Sequence, residues 1–426
     1  MDGVRPTGSA TATNLFRSFK LRDFRFLWLS DGMGGWADQM ELVVLGWFVL
    51  LETDSPFMVG LYAALRFTGT LLSPLYGIVI DRYDRKKLLR NARTGFAVIA
   101  AGFLLLSVTD RLEVWHVFAL SAVLGMVRAF DNVTRQTLIA DVVDRDGLMN
   151  AVALTRSGRD TTQIVGPVVA GVMLSRAGMG ASYGLIVGVY LAGVAFAYQL
   201  RTPSGGQAGR GASLLTNLSE TATYIGRHQM ILALLLMAFL VNLTALPLSL
   251  GLMPVYARDG LGASSTGLGQ LLAANAVGGF TGSVAIAVLP NFRRPGAVIL
   301  VASLAWHALI LAVTRVRWFG PSLPVLWAAG IAQSFTMVTM TVALLSVTSP
   351  ELRGRVNGVR SMAVYGLPIG LLTTGGLADV LGITTAMAIS GAVGMFFTLL
   401  VAVRFRGLWR LSQESDVPAR TQSSSE

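Results

Sequence analysis

Hydrophobic residues form long blocks along this chain, and short polar stretches separate one block from the next. Each block has about 20 residues, enough for an α-helix to cross a hydrocarbon core of ~30 Å. The pattern therefore predicts an all-α membrane protein with twelve transmembrane helices. The predicted helices lie at 26–51, 57–80, 93–109, 114–134, 148–175, 180–200, 229–256, 266–289, 296–314, 321–347, 357–379 and 382–403.

A polar, Gly-rich stretch at 201–215, RTPSGGQAGRGASLL, divides six of these helices from the other six. We expect two six-helix bundles at 26–200 and 229–403, joined by a cytoplasmic linker at 201–228. Tails at 1–25 and 404–426 flank them.

Short groups of residues recur in both halves at a shift of 207 or 208 positions. Secondary transporters are often built from such repeats, with the binding site near the midplane between them. The recurrence predicts two pseudo-symmetric bundles. The matching groups are Gly60-Leu61 with Gly267-Leu268, Arg85-Lys86 with Arg293-Arg294, and Asn150 with Asn357.

The composition agrees with a chain that has lipid as its solvent. Of 426 residues, 53% are hydrophobic and only 13% are charged, whereas a soluble domain has about 25% charged residues. The absence of Cys excludes disulfides, thiol catalysis and Cys-based metal sites. Because the three His are scattered and no ATP-binding P-loop is visible, we expect no metal, no cofactor and no enzyme activity. An energy source, if there is one, is an ion gradient or a partner subunit.

Basic residues collect in alternate polar stretches. One set, which includes both tails and the linker, holds about 25 of the Lys and Arg, and the opposite set holds about five. Because positive loops stay inside, both termini are expected in the cytoplasm of a cell carrying this protein in its inner or plasma membrane. This distribution accounts for the net charge of +11 without a nucleic-acid partner.

The stretch GIVIDRYDRKKLL at 77–89 concentrates charge between two hydrophobic blocks. It resembles the loop between the second and third helices of the major facilitator superfamily. Asp84 departs from the pattern, since many members have Gly there. The matching positions are Gly77, Asp81, Arg82, Arg85 and Lys86.

Two further regions carry the resemblance. GPVVAG at 166–171 is similar to the antiporter motif of that superfamily, with Gly166, Pro167 and Gly171 in place and Ala170 where a Gly is usual. The stretches at 129–154 and 349–359 resemble the branch that contains the enterobactin exporter and macrolide or multidrug efflux proteins. The resemblance covers roughly 15–405 and implies two bundles that rock about a central cavity.

The resemblance also implies a latch on the cytoplasmic side. Asp81 is expected to face the start of the eleventh helix, and Arg85 is expected to pair with Asp131. The alternative is that this positive loop only sets the membrane orientation, which applies most to Arg82, Lys86 and Lys87.

Seven charged residues fall deep inside predicted helices. Leaving them in lipid would cost on the order of 20 kcal/mol, at ~3 kcal/mol each, so they must pair or face a water-filled cavity. Asp31 is left out because it lies near the predicted interface. The seven are Asp38, Glu41, Arg66, Arg128, Arg156, Arg159 and Asp160.

Asp38 and Glu41 are the candidates for proton coupling. A carboxylate that alternates between buried and Arg-paired surroundings can bind and release a proton. The alternative is a permanent Arg–carboxylate staple between helices, which applies most to Arg66, Arg159 and Asp160.

Together these features predict a monomeric secondary transporter that exports a small amphipathic molecule, drug-like or siderophore, by proton antiport. An uptake carrier would have the same architecture. A transport-inactive sensor or scaffold is the other alternative, although such proteins usually add a soluble effector domain.

Overall fold

The computed structural model describes residues 17–144, 147–201, 224–226, 228–289, 292–348, 360 and 363–411. Throughout these stretches the chain is helical or in short turns, with no β-strand. The predicted linker and the stretch at 349–359 lie largely or wholly outside the described residues, as do most of both tails. The prediction of an all-helical chain is confirmed for the described part.

Helices α1 to α6 occupy the N-terminal half. They are α1 (Arg22–Thr53), α2 (Pro56–Leu65), α3 (Ser73–Arg82), α4 (Arg85–Val108), α5 (Val114–Val142) and α6 (Leu148–Tyr198). The predicted second helix is thus interrupted, because a 3₁₀ turn at Thr68–Leu72 separates α2 from α3. At this turn Thr68 Oγ1 donates to the carbonyl oxygen of Ala122 on α5, which fixes the turn against its neighbour.

Gly178 marks the division between the predicted fifth and sixth helices. Its φ of 75° and ψ of −174° lie outside the helical region, within the long span of α6. Glycine adopts such a backbone conformation without the penalty that a Cβ would bring.

Helices α7 to α13 occupy the C-terminal half. They are α7 (Gln229–Gly260), α8 (Ser265–Val288), α9 (Pro295–Val313), α10 (Phe319–Val347), α11 (Gly366–Leu381), α12 (Ile383–Arg404) and α13 (Gly407–Arg410). Two π-turns, at Leu248–Leu252 and Tyr256–Gly260, widen α7 next to Pro247 and Pro254. A proline has no N–H to donate within a helix, so irregular turns near it are expected.

Eight helices in the described part of the chain are long and apolar enough to cross a membrane, namely α4 to α10 and α12. Helix α11 is apolar but shorter. Helix α1 is long enough but carries Asp31, Asp38 and Glu41 in its interior. The number of crossings therefore stays a prediction.

Two helices extend further into charged sequence than predicted. Helix α4 begins at Arg85 rather than at 93, because Asp84 caps it: its Oδ1 accepts hydrogen bonds from Lys86 N at 2.9 Å and Lys87 N at 3.4 Å. An acidic N-cap of this kind satisfies the free N–H groups of the first turn. Helix α5 likewise runs to Val142 instead of 134. The extensions turn Arg93 and Arg135 from predicted edge or loop residues into helix-interior ones.

Glycines allow helices of the two sequence halves to touch. A Cβ at Gly60 on α2 would lie 2.5 Å from the carbonyl oxygen of Leu371 on α11. Gly171 on α6 packs in the same way against the backbone of Ser265 on α8. These contacts join the halves near the ends of α1 and α7.

Candidate functional site

A cavity of about 710 Å³ opens among α1, α4, α5 and α6. Its described lining residues all lie between 31 and 190, so it belongs to the N-terminal half. Both carboxylates and guanidinium groups line it, together with amides and a few apolar side chains. The charged lining residues are Asp31, Asp38, Arg93, Arg128, Asp131, Arg135, Arg156, Arg159 and Asp160.

Asp38 lines this cavity and contacts two arginines. Arg66, the residue directly after α2, donates from Nη2 to Asp38 Oδ1 at 2.7 Å, and Arg128 Nη2 on α5 contacts the same oxygen. Arg128 is also 3.7 Å from Glu41 Oε2. The structure thus brings together four of the predicted deep charges from α1, α5 and the end of α2.

Glu41 has a poorer set of partners than Asp38. Its side chain is fully buried, and the Tyr190 hydroxyl donates to Oε2 at 2.9 Å. Its other oxygen, Oε1, has no hydrogen-bond partner in the described part of the structure. A buried carboxylate oxygen without a partner is energetically costly as long as the group is charged.

Tyr62 ties this cluster to the backbone of α1. Arg66 Nη1 donates to the Tyr62 hydroxyl at 3.1 Å, and that hydroxyl donates to the carbonyl oxygen of Glu41 at 3.2 Å. The sequence gives no direct signal for Tyr62 or Tyr190, since a tyrosine in an apolar helix is usually a packing residue.

A second ionic cluster lies nearer the start of α1, and sequence reasoning missed most of it. Asp31 accepts hydrogen bonds from Arg93 Nη2 at 3.3 Å and from Arg135 Nη1 at 3.0 Å. Arg93 Nε lies 3.1 Å from Asp131 Oδ1. The hydropathy pattern predicts shorter helices than the structure has, so it puts both arginines at or beyond the ends of helices.

The expected pairing of Arg85 with Asp131 is wrong. Arg85 Nη1 pairs with Asp141 at 2.8 and 2.9 Å, near the end of α5, while Asp131 pairs with Arg93. Each observed pair joins a residue of α4 to a residue of α5, as the predicted pair does. The prediction therefore has the correct helices but the wrong register along them, by several helical turns. The Asp81 side chain lies outside the described part, and Arg82 is exposed.

The remaining deep charges lie on α6. Arg156 and Arg159 are exposed on the cavity wall, and Asp160 is half-buried beside them. None of the three forms a salt bridge with any residue that the structure describes. The expected staple involving Arg159 and Asp160 is therefore not seen, whereas Arg66 is paired.

The antiporter-like motif packs against two neighbours. A Cβ at Gly166 would lie 2.8 Å from Gln39 Cβ on α1, whereas the carbonyl of Pro167 faces Gly269 on α8. Gly171 packs against the backbone of Ser265 on α8, and the contacts at Pro167 and Gly171 together form the seam between α6 and α8. Gly77 on α3 has no neighbouring atom within 4 Å of a Cβ built there.

Polar contacts at the opposite end of α1 also join the two sequence halves, and the sequence did not indicate them. Arg258 Nη2 on α7 pairs with Asp54 Oδ1 at 2.6 Å. Asp379 on α11 accepts hydrogen bonds from Ser55 Oγ at 3.0 Å and from Phe57 N at 3.2 Å. A carboxylate from one half thus sits at the N-terminus of α2 in the other, where the helix dipole favours it.

The described part of the chain combines a helical fold and apolar spans with a charged cavity reached from α1, α4, α5 and α6, and these features are typical of a multi-pass membrane transporter. The family described as transmembrane secretion effector matches residues 13–422 of the sequence. The chain belongs to this family, a branch of the major facilitator superfamily.

Similar curated proteins are efflux pumps and exporters. The multidrug efflux pump Tap of Mycolicibacterium fortuitum is 24% identical over 86% of this chain and 93% of its own length. Macrolide efflux protein A of Streptococcus pyogenes is 21% identical, covering 89% and 94%. The enterobactin exporter EntS of Citrobacter koseri is 25% identical, covering 87% and 88%.

Solved structures share the fold. A point mutant of the nucleoside transporter NupG has a TM-score of 0.71 at 14% identity and covers 91% of this chain and 100% of its own. A bacterial homologue of the human lysosomal transporter Spinster, in an inward-facing and unoccupied conformation, has a TM-score of 0.66 at 16% identity, covering 95% and 98%.

Proposed function

We propose that this chain exports a small amphipathic molecule, a drug-like compound or a siderophore, across the cell membrane in exchange for protons. The efflux and export functions named for its relatives support the direction. The cavity of about 710 Å³ supports a small-molecule cargo, because ligand sites typically measure ~300–1,000 Å³.

Proton coupling is supported by a difference between two carboxylates, since Asp38 has closer arginine partners than Glu41 has. Asp38 contacts both Arg66 and Arg128, whereas Glu41 keeps one tyrosine hydroxyl and a guanidinium 3.7 Å away. A proton on Glu41 would remove the charge that these contacts leave incompletely neutralised. Glu41 is therefore the proton carrier in this proposal, and Asp38 holds the two arginines in place.

Alternating access connects this site to both sides of the membrane. With both termini in the cytoplasm, the cavity lies at the cytoplasmic ends of α1, α5 and α6, and the contacts of Arg258 and Asp379 lie at the outer end. In this proposal the protein is a monomer with twelve crossings, and its described conformation is open inward and closed outward. Outward opening requires those outer contacts to break.

The gradient provides enough energy for export. One charge moving across 100 mV supplies about 2.3 kcal/mol, which corresponds to a concentration ratio of roughly 50. This is sufficient for a drug or siderophore pump.

The test measures accumulation of dyes, antibiotics and siderophores in cells with and without the protein, and repeats it after adding a protonophore. We expect lower accumulation with the protein and loss of the difference with the protonophore. Glu41→Gln should abolish the difference at normal expression. Glu52→Gln is the matched control, because Glu52 lies exposed at the end of the same helix.

Higher accumulation in cells with the protein would indicate uptake and overturn the proposed direction. Energised export that survives both Glu41→Gln and Asp38→Asn would remove proton coupling from this site.

A further inference from the structure

Two arginines on α6 form no salt bridge with any described residue, in a cavity where other guanidinium groups do. Four arginines pair with four carboxylates in the two clusters: Arg66, Arg93, Arg128 and Arg135 with Asp31, Asp38, Glu41 and Asp131. Arg156 and Arg159 remain, with Asp160 beside them on the cavity wall. The cavity wall of α6 therefore carries excess positive charge.

From this geometry we infer that Arg156 and Arg159 bind the anionic group of an amphipathic organic acid, and that the transported molecule is of this class. The inference deepens the proposed function and rests on it only in taking the cavity as the substrate site. The two side chains are three residues apart and so project from the same face of α6.

A pair of guanidinium groups in this arrangement suits a carboxylate or a similar planar anion. Each guanidinium presents N–H groups in a fixed fork, and charge-assisted hydrogen bonds to an anion are stronger than neutral ones. Because both side chains are exposed to the cavity rather than committed to neighbours, binding does not first require an internal ion pair to break.

The same face of α6 continues into apolar and neutral polar residues. Val152, four residues before Arg156, is 52% exposed and lines the cavity, and Leu148 lies one turn further on. Gln163, four residues after Arg159, is exposed on the wall as well. An acid with an apolar body would place that body along Val152 and Leu148 and its charged group on the arginines.

One further cation lies close by. The charge of Arg360, from the other sequence half, interacts with that of Arg156, and Arg360 Nη1 donates to Thr341 Oγ1 at 2.8 Å. Repulsion between like charges without an anion disfavours bringing these two residues closer. An anion bound at Arg156 would relieve this repulsion.

The test uses two probes of one shape, naphthalene-2-carboxylate and naphthalene-2-carboxamide, with the purified full-length protein in detergent. The dissociation constant of each is measured by calorimetry at low ionic strength. We expect the wild type to bind the carboxylate at least about tenfold more tightly than the amide, since a charged hydrogen bond is lost with the amide.

Arg156→Gln and Arg159→Gln should each reduce that preference, and the double variant should abolish it. The double Lys variant, which keeps both charges, should retain part of it. Arg176→Gln is the matched control, because Arg176 is exposed on the same helix and has no described salt bridge. The single variants keep the test valid if the double variant does not fold.

Equal binding of the two probes by the wild type would overturn the inference, and so would a preference that survives both glutamines. The binding measurement needs no proton gradient. Vesicles that fail to show proton-coupled export while the carboxylate preference persists would therefore refute the proposed function and leave this site in place.

Discussion

The seam between α6 and α8 offers a sharp test of how the two sequence halves are held together. A Cβ added at Gly269 would overlap the carbonyl oxygen of Pro167 and lie 3.0 Å from its carbonyl carbon. Both atoms belong to the backbone of a helix and cannot rotate away. Gly269→Ala therefore forces the two helices apart by on the order of 1 Å to reach an ordinary van der Waals distance.

Two opposing terms set the size of the effect. Alanine is favoured over glycine in a helix interior by about 1 kcal/mol, whereas overpacking a close contact costs about 1–3 kcal/mol. Gly279→Ala, on the same helix, supplies the first term without the second, since its Cβ would lie 3.9 Å from the nearest atom, Gly330 O. We expect Gly269→Ala to be less stable than Gly279→Ala by about 1–3 kcal/mol.

The assay is thermal unfolding of both purified variants in detergent, followed by transport in cells. Gly269→Ala should unfold several degrees below Gly279→Ala and should transport less. Equal unfolding temperatures for the two variants would show that α6 and α8 do not pack as closely as the structure has them. This result would also contradict the close packing of Pro167 and Gly171 against α8.

Two further predictions concern the ionic contacts. A Cβ at Gly34 would overlap Arg93 Nη1, so Gly34→Ala should displace that guanidinium from Asp31 and lower the free energy of unfolding by about 1–3 kcal/mol. Gly32→Ala is the control, because a Cβ at Gly32 would have no atom within 4 Å. Equal stability of the two variants would contradict the ion cluster. Asp379→Ala should favour outward opening by about 1 kcal/mol. Because the chain has no native Cys, maleimide labelling of Thr374→Cys, buried on α11, should become roughly fivefold faster. Glu52→Ala should leave the rate unchanged, and no acceleration by Asp379→Ala would speak against an outer closure at this contact.

Helix positions were predictable where apolar blocks end in turn residues. The predicted blocks 296–314 and 382–403 match α9 (Pro295–Val313) and α12 (Ile383–Arg404) within a residue. The prediction fell short where a helix runs on into charged sequence, as α4 does from Arg85. There the helix is fixed by the Asp84 cap and by ionic contacts to α5, neither of which appears in a hydropathy pattern.

The charged site shows a similar division. The cost of burying charge in lipid identified Asp38, Arg66 and Arg128, and the structure brings these residues together. Which carboxylate meets which guanidinium depends on helix rotation and register. The family resemblance therefore implied a pair of Arg85 with Asp131, whereas the structure pairs Arg85 with Asp141. The partners of Glu41 and the lack of a described salt bridge at Arg156 likewise follow only from the packed helices.

The exchange of protons for cargo is tested most directly in proteoliposomes that contain a pH-sensitive dye and a compound identified by the accumulation assay. An outward gradient of that compound should drive a proton flux in the opposite direction, and Glu41→Gln should abolish this flux while Glu52→Gln retains it. Movement of the compound in the wild-type protein without any change in internal pH would contradict the account.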